Sequence, residues 1–366
     1  MHWISRSCAI GTALLLAAAG AATAAEEKVL NIYNWSDYIA EDTIKNFENE
    51  TGIKVNYDVY DSNDVLEAKL LAGKTGYDIV VPSGSFLERQ IAAGVFRKLD
   101  KAKLKNHKNL DPDIMSRVAG HDPGNAHAIP YMWGTTGVGY NVKMIKDRLP
   151  DAPLGSLDMV FKPEIVAKFA DCGVTMLDAS NEILEIALNY LGKNPHTENE
   201  TDFKEVEDLL MKVRPHVKYF HSSQYINDLA NGDICMAIGW SGDMFIARDR
   251  AEEAGQNVEV GYDIPKEGTL MWFDLMAIPA DAPHPENAHL FLDYIMRPEV
   301  VAAVSNYVFY ANGNEASLEH VDPAVKDDPA IYPPPEVKER LFTDKVPSPK
   351  VDRLRTRTWT RIKTGQ

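Results

Sequence analysis

The chain has 366 residues, 45% apolar and 25% charged, the make-up of a globular protein with room for one large or two ordinary domains. Its 54 acidic against 38 basic side chains argue against nucleic acid or an anionic membrane as the main partner. The excess suits a cationic ligand, but only as a bias, since many soluble proteins are acidic.

Arg6 stands before the apolar run Ala9–Ala22, and Ala22-Thr23-Ala24-Ala25 and then Glu26-Glu27-Lys28 follow it. A basic start, an apolar stretch and a small-residue end make residues 1–25 a secretory signal peptide and the mature protein an exported one. The run is short and alanine-rich for a membrane span. Cys8 precedes it, the wrong place for a lipid anchor, and no second long apolar run follows, so direct membrane insertion is not expected. Removal of the segment takes away Arg6 and no acid, moving the net charge from −16 to −17. Cys172 and Cys235 then remain. An oxidising compartment favours a disulfide between them, with free buried thiols as the alternative; no basic cluster marks either as reactive.

Val29–Asn34 reads as a strand, and Glu41–Glu50 as a helix stopped by Gly52. Ile53, Val55, Tyr57 and Val59 alternate as a second strand, and Ser62-Asn63-Asp64 caps a helix to Ala72. Tyr77–Val81 is a continuous apolar run typical of a buried parallel strand, and Ser85 with Glu88 has the spacing of a capping box for a helix ending at Gly94. Strand and helix alternate, which predicts a parallel sheet with crossover helices. "YMWGTTGVGYN", Tyr131–Asn141, reads as a hinge or crossover rather than a core strand because of its glycines. A second α/β unit follows: strands at Val174–Leu177, Val217–Phe220 and Ile234–Gly239, with helices at Glu182–Leu191, Tyr225–Ala230 and Met244–Ala254. Val258–Ile264 and Leu270–Ile278 are strand-like, and Pro285–Ser305 is helical. The chain closes with an amphipathic helix carrying Val351, Leu354, Thr358 and Ile362 on one side, its arginines 353, 355, 357 and 361 read as a solvated face.

In open parallel sheets, ligands sit beyond the carboxyl ends of the strands. The first strand delivers Trp35, Ser36, Asp37 and Tyr38 there, Tyr77–Val81 delivers Ser83, Val174–Leu177 delivers Asp178, Ala179 and then Glu182, and Val217–Phe220 delivers His221 and Ser222. Ile234–Gly239 delivers Trp240, Ser241 and Asp243, so that "NWSDYI" and "GWSGDMF" repeat one arrangement of strand, Trp-Ser, Asp and helix. Trp272 and Asp274 stand two apart in a strand, hence on one face. A single Trp at a strand end is ordinarily packing, and an Asp before a helix is ordinarily its cap. Three Trp-plus-Asp pairings point instead to an alkyl chain with ammonium ends: Trp faces attract cations by about 0.5–2 kcal/mol each, and carboxylates accept charge-assisted hydrogen bonds. Competing motifs fail. Ala68–Thr75 lacks the first glycine of a phosphate loop and ends a helix, "GWSGD" lacks the last glycine of a nucleophile elbow, and His284 and His289 read as surface residues. No metal or other cofactor is expected.

On "NIYNWSDYI", "YDVYDSN", "YDIVVPS", "YFHSSQYINDLANGDIC", "IPKEG", "FDLMAIPADA" and "RTRTWTRIKTG", essentially the whole mature chain resembles the periplasmic polyamine-binding proteins of bacterial ABC importers, the putrescine and spermidine binders. The resemblance implies a type II periplasmic binding fold of two α/β lobes closing on ligand by a hinge, with residues 26–132 and 259–308 in one lobe and 133–258 and 309–366 in the other. It implies an aromatic box of Trp35, Tyr38, Trp240, Trp272 and Tyr310, with Asp243 and Asp274 on one ammonium end, Ser36, Ser83 and Asp37 serving the other, and Glu182 meeting an inner or secondary amine. Asp37 has a competing reading as cap of the helix behind it. The two cysteines match the family's pair. Trp272 resembles the spermidine-preferring members, while Ser85 and Ala179 resemble the putrescine side, so the choice between the two ligands stays open. The implied partner is an inner-membrane ABC permease, the implied state a monomer, and no catalysis is expected. A secreted carbohydrate-active enzyme also combines aromatics with carboxylates, but needs a carboxylate pair at catalytic separation; a polyamine sensor uses the same closed lobes as a transporter.

Overall fold

The computed structural model describes residues 26–255 and 257–366; the expected signal peptide lies outside them. Ten strands form one mixed sheet: β1 Val29–Trp35, β2 Lys54–Tyr60, β3 Ile79–Val80, β4 Ala128–Asn141, β5 Val174–Met176, β6 Val217–Phe220, β7 Met236–Trp240, β8 Val260–Asp263, β9 Met271–Ala277 and β10 Ala311–Asn312. Their order is β2-β1-β3-β9-β4-β7-β5-β6, with β8 and β10 also on β4. As the alternating pattern predicts, β1 runs parallel to β2 and β3, and β5 runs parallel to β6 and β7. β9 and β4 are antiparallel insertions between these two parallel groups. Each parallel group therefore points its carboxyl ends toward the middle of the molecule, where the ligand rule places a site.

β4 joins the halves. Its first part, Ala128–Thr135, pairs with β9, and its second, Thr136–Tyr140, pairs with β7. Tyr131–Asn141, expected to be a hinge or crossover and not a core strand, is part of a central strand buried along its whole length. Its glycines are explained by close packing: a Cβ on Gly134 would stand 2.8 Å from the Trp272 ring. Residues 311–312 pair with Met132–Trp133, in the part of β4 that also pairs with β9.

Three local expectations are corrected. Ser85 does not cap its helix, which spans Gly84–Ala92 and starts after Ser83; Ser85 is buried within it, and Glu88 turns to His121 Nδ1 at 3.1 Å. The closing helix Pro349–Thr364 does not leave all its arginines in solvent. Arg355 is buried and donates to Glu185 at 2.6 Å, while Arg361 pairs with Glu207, tying the helix to the second half. His284 and His289 are not free surface groups either: His289 Nε2 accepts from the Asp100 amide at 2.9 Å, and His284 Nδ1 meets Asp78 at 3.0 Å. For the arginines and the two histidines, a long-range acidic or backbone partner, invisible to local periodicity, captured the side chain. Cys172 and Cys235 form a disulfide with Cα atoms 5.5 Å apart, closing a 63-residue span beside β5 and β7.

Candidate functional site

Between the halves, at the carboxyl ends of β1, β2 and β7, lies a narrow slot of about 40 Å3. Ten of the eleven residues expected in the site line it: Trp35, Ser36, Tyr38 and Ser83 from the first half, Glu182, Trp240 and Asp243 from the second, and Trp272, Asp274 and Tyr310 from the connecting segments.

The aromatic rings interlock. Trp35 meets Trp240 across the slot edge-on at 5.5 Å, and Tyr310 is edge-on to both Tyr38 and Trp272 at 5.2 Å. Trp35 is fixed by its indole N–H, which donates to the Val81 carbonyl at 2.8 Å. Gly242 opens the helix Ser241–Glu253 to the Tyr310 ring, which a Cβ there would overlap.

Three buried carboxylates face these rings, and each is held by neutral donors. Asp243 accepts from the Tyr225 and Tyr310 hydroxyls at 2.5 and 2.8 Å. Asp274 accepts from Ser83 Oγ at 2.6 Å and from the Tyr38 hydroxyl at 2.9 Å. Glu182 accepts from Thr136 Oγ1 at 2.6 Å and from the Trp240 indole at 3.0 Å. Among the described residues, no Lys or Arg forms an ion pair with any of the three. Burial pushes Asp243 up to about 6 and both Asp274 and Glu182 up to about 7, against the opposing pull of those hydrogen bonds. The slot thus concentrates uncompensated negative potential between aromatic walls, the electrostatics of a receptor for a thin organic cation.

Asp37 stands apart. Its backbone is left-handed at φ 53°, and its side chain turns out of the slot to accept from Arg250 at 2.7 Å. Arg250 is braced by Asn227 at 2.9 Å, so the ion pair bridges the two halves at the rim. Asp37 is not the helix cap: that position belongs to Ala40, whose side chain offers no cap. Ser83, expected at the opposite end from Asp274, instead donates to it.

The expected set omitted Tyr60, Asp61, Ser222, Ser223 and Ile226, which also line the slot. Tyr60 packs on Trp35 at 4.7 Å. The alternation of Ile53, Val55, Tyr57 and Val59 put it out of phase, and only its pairing opposite Trp35 at the end of β2 brings it to the slot. Tyr225 and Thr136, which orient Asp243 and Glu182, carried no local signal, because each acts only through a partner distant in sequence.

Residues 42–333 match the family described as bacterial extracellular solute-binding proteins, and the chain belongs to that family. Its fold is the type II periplasmic binding fold. A putative spermidine/putrescine ABC transporter protein from Listeria monocytogenes superposes with a TM-score of 0.83 at 30% identity, covering 93% of this chain and 100% of that one. Among individual relatives, the chain is 56% identical over 354 residues, 96% of each chain, to the putrescine-binding periplasmic protein PotF of Escherichia coli K12. It is also 56% identical over 349 residues, 95% of each chain, to the putrescine-binding periplasmic protein SpuD of Pseudomonas aeruginosa UCBPP-PA14.

Proposed function

We propose that this protein is a periplasmic solute-binding protein that captures a polyamine, putrescine or spermidine, between two lobes and delivers it to an ABC importer in the inner membrane. The observation that carries the reading is the set of three buried carboxylates, each satisfied only by neutral donors, inside a thin aromatic slot. Paired by ammonium groups, they lose the penalty of burial; filled by methylenes, the slot loses its water. The names of the relatives point to the same ligands.

In this reading Trp35, Tyr38, Trp240, Trp272 and Tyr310 enclose the methylene chain. Asp243 and Asp274 receive ammonium groups, Ser36 and Ser83 complete the polar ends, and Glu182 meets an inner amine. Asp37 serves through closure rather than by touching ligand. The lobes follow the two parallel groups of strands, with β4 running through the hinge near Thr135–Thr136. The protein works as a monomeric carrier and assigns no residue to catalysis.

The test is calorimetric titration with putrescine, cadaverine, spermidine and spermine, with oligosaccharides as controls. Micromolar or tighter binding of at least one polyamine, with no heat from oligosaccharides, is expected. Silence with all four polyamines would sink the reading. The same four titrations decide between diamine and triamine.

A further inference from the structure

A second cavity, of about 470 Å3, lies between the same two halves and shares no lining residue with the polyamine slot. A constriction of about 10 Å3 separates them, walled in part by Trp35, Phe86, Asn181 and Trp240. Helices Asn63–Ala72 and Gly84–Ala92 form one side of the cavity, and helices Ser180–Tyr190 and Pro349–Thr364 form the other.

Two of the cations in its wall are already committed. Arg89 is paired with Glu67 at 2.5 Å, and Arg355 with Glu185 at 2.6 Å. Asp344 is not paired in this way. It is only 6% exposed, lines the cavity, and accepts no hydrogen bond among the described residues. Its closest potential cation is His121 Nε2 at 3.9 Å, on a ring whose other nitrogen is engaged by Glu88 at 3.1 Å. Asp64 and Asp352 add carboxylates to the same walls that have no ion-pair partner among the described residues, against Lys345. The Gln90 amide, 1% exposed, sits in that wall with neither its oxygen nor its nitrogen paired. The Asp344 residue is largely buried, yet its carboxylate lines the cavity, so a cation that enters there can pair with it.

We propose that this cavity is a second amine site, distinct from the polyamine slot, in which the Asp344 carboxylate holds one alkylammonium group. Both halves line it, so an amine bound there stabilises the closed arrangement. Binding at the two sites is then reciprocal: each occupant tightens the other.

The test is calorimetry on the full mature chain, with putrescine carried into the millimolar range and n-butylamine titrated into the putrescine-loaded protein. Wild type should show a tight event and a second, weaker one, the latter shared by n-butylamine. Asp344→Asn should weaken the second event at least tenfold and leave the tight one within twofold. Thr356→Trp, which fills the cavity from an exposed helix position and keeps every carboxylate, should remove the second event as well. A single event of unit stoichiometry in wild type, with no heat from n-butylamine, would overturn the proposal, as would a second event unchanged in both variants. A one-to-one spermidine event weakened by Asp344→Asn, with no second event for the diamine, would also overturn it, making the cavity an extension of the slot. Absence of the tight putrescine event would count against the polyamine reading alone, because n-butylamine reports on Asp344 directly.

Discussion

Trp35–Tyr38 and Trp240–Asp243 are two versions of one sequence pattern, strand then Trp-Ser then Asp, and the molecule uses them differently. At the second, the Asp lies in the first turn of the helix Ser241–Glu253 and enters the slot, where two tyrosine hydroxyls receive it. At the first, a left-handed turn at Asp37 delays the helix to Glu41 and rotates the carboxylate outward to Arg250. The carboxylate that this half lacks is supplied by Asp274 on β9, held by Ser83 and Tyr38. Equal motifs therefore yield one ligand group and one clasp between the halves. What separates them is the length of the turn, which sets the direction of the side chain.

The sharpest break of this comparison is charge removal at the two positions. Asp243→Asn should cut polyamine affinity by about 100-fold or more, since breaking a desolvated ion pair costs about 3–5 kcal/mol. Asp274→Asn should match it. Circular dichroism should report an intact fold in both, and wild-type affinity in both by calorimetry would contradict the assignment. Trp240→Ala removes a ring over the ligand and the indole donor to Glu182 together, so a loss of tenfold or more is expected in the same assay.

Next comes pH. Asp243, Asp274 and Glu182 titrate at about 6 to 7 because burial disfavours their charge. A cationic ligand needs them ionised, so binding releases protons, and affinity should climb from pH 5 and level off above about pH 8, by up to tenfold per pH unit for each proton released. The stability of the ligand-free protein runs the opposite way. Groups whose folded values are raised contribute stability on the acid side and lose it as pH rises through those values. Melting curves should therefore show ligand-free stability falling between pH 5 and 8 while the polyamine-induced shift grows. A flat profile for both would rule out ionisation of these carboxylates as the source of affinity.

A smaller effect is expected at Trp272, where Trp272→Phe should shift the ratio of affinities toward putrescine; an unchanged ratio would contradict a selective role. The smallest belongs to the clasp. Asp37 and Arg250 are each more than a third exposed, and a pair at that exposure is worth about 0.2–1 kcal/mol. Asp37→Asn should weaken binding only about two- to fivefold, chiefly through faster dissociation in stopped-flow, and the difference from wild type should vanish at high salt. A loss as large as that of Asp243→Asn would place Asp37 on the ligand after all.

Much of this was legible in the chain. Periodicity located the strands of both parallel groups within a residue or two, and the ligand rule for parallel sheets then put Trp35, Trp240, Asp243 and Glu182 at one place before any contact was known. The corrections share one cause. Ser85 was read as a cap, Arg355 as solvated and Tyr131–Asn141 as a crossover because local spacing counts neighbours in sequence. The actual partners of the last two are set by chain segments far away: Glu185 for Arg355, and β7 and β9 for β4.

The sequence by itself determined the strand-helix alternation, the supply of aromatics and carboxylates at strand ends, and through its family stretches the kind of ligand. The first two are properties of spacing and composition; the last rests on the resemblance to a family. Tertiary structure decided which carboxylates point inward, that three of them go without a cation, and that Asp37 faces Arg250 instead of the slot. Those outcomes depend on side-chain direction at turns and on pairs more than 200 residues apart, such as Tyr38 with Asp274 and Asp37 with Arg250, which only the closed packing of the two halves brings together.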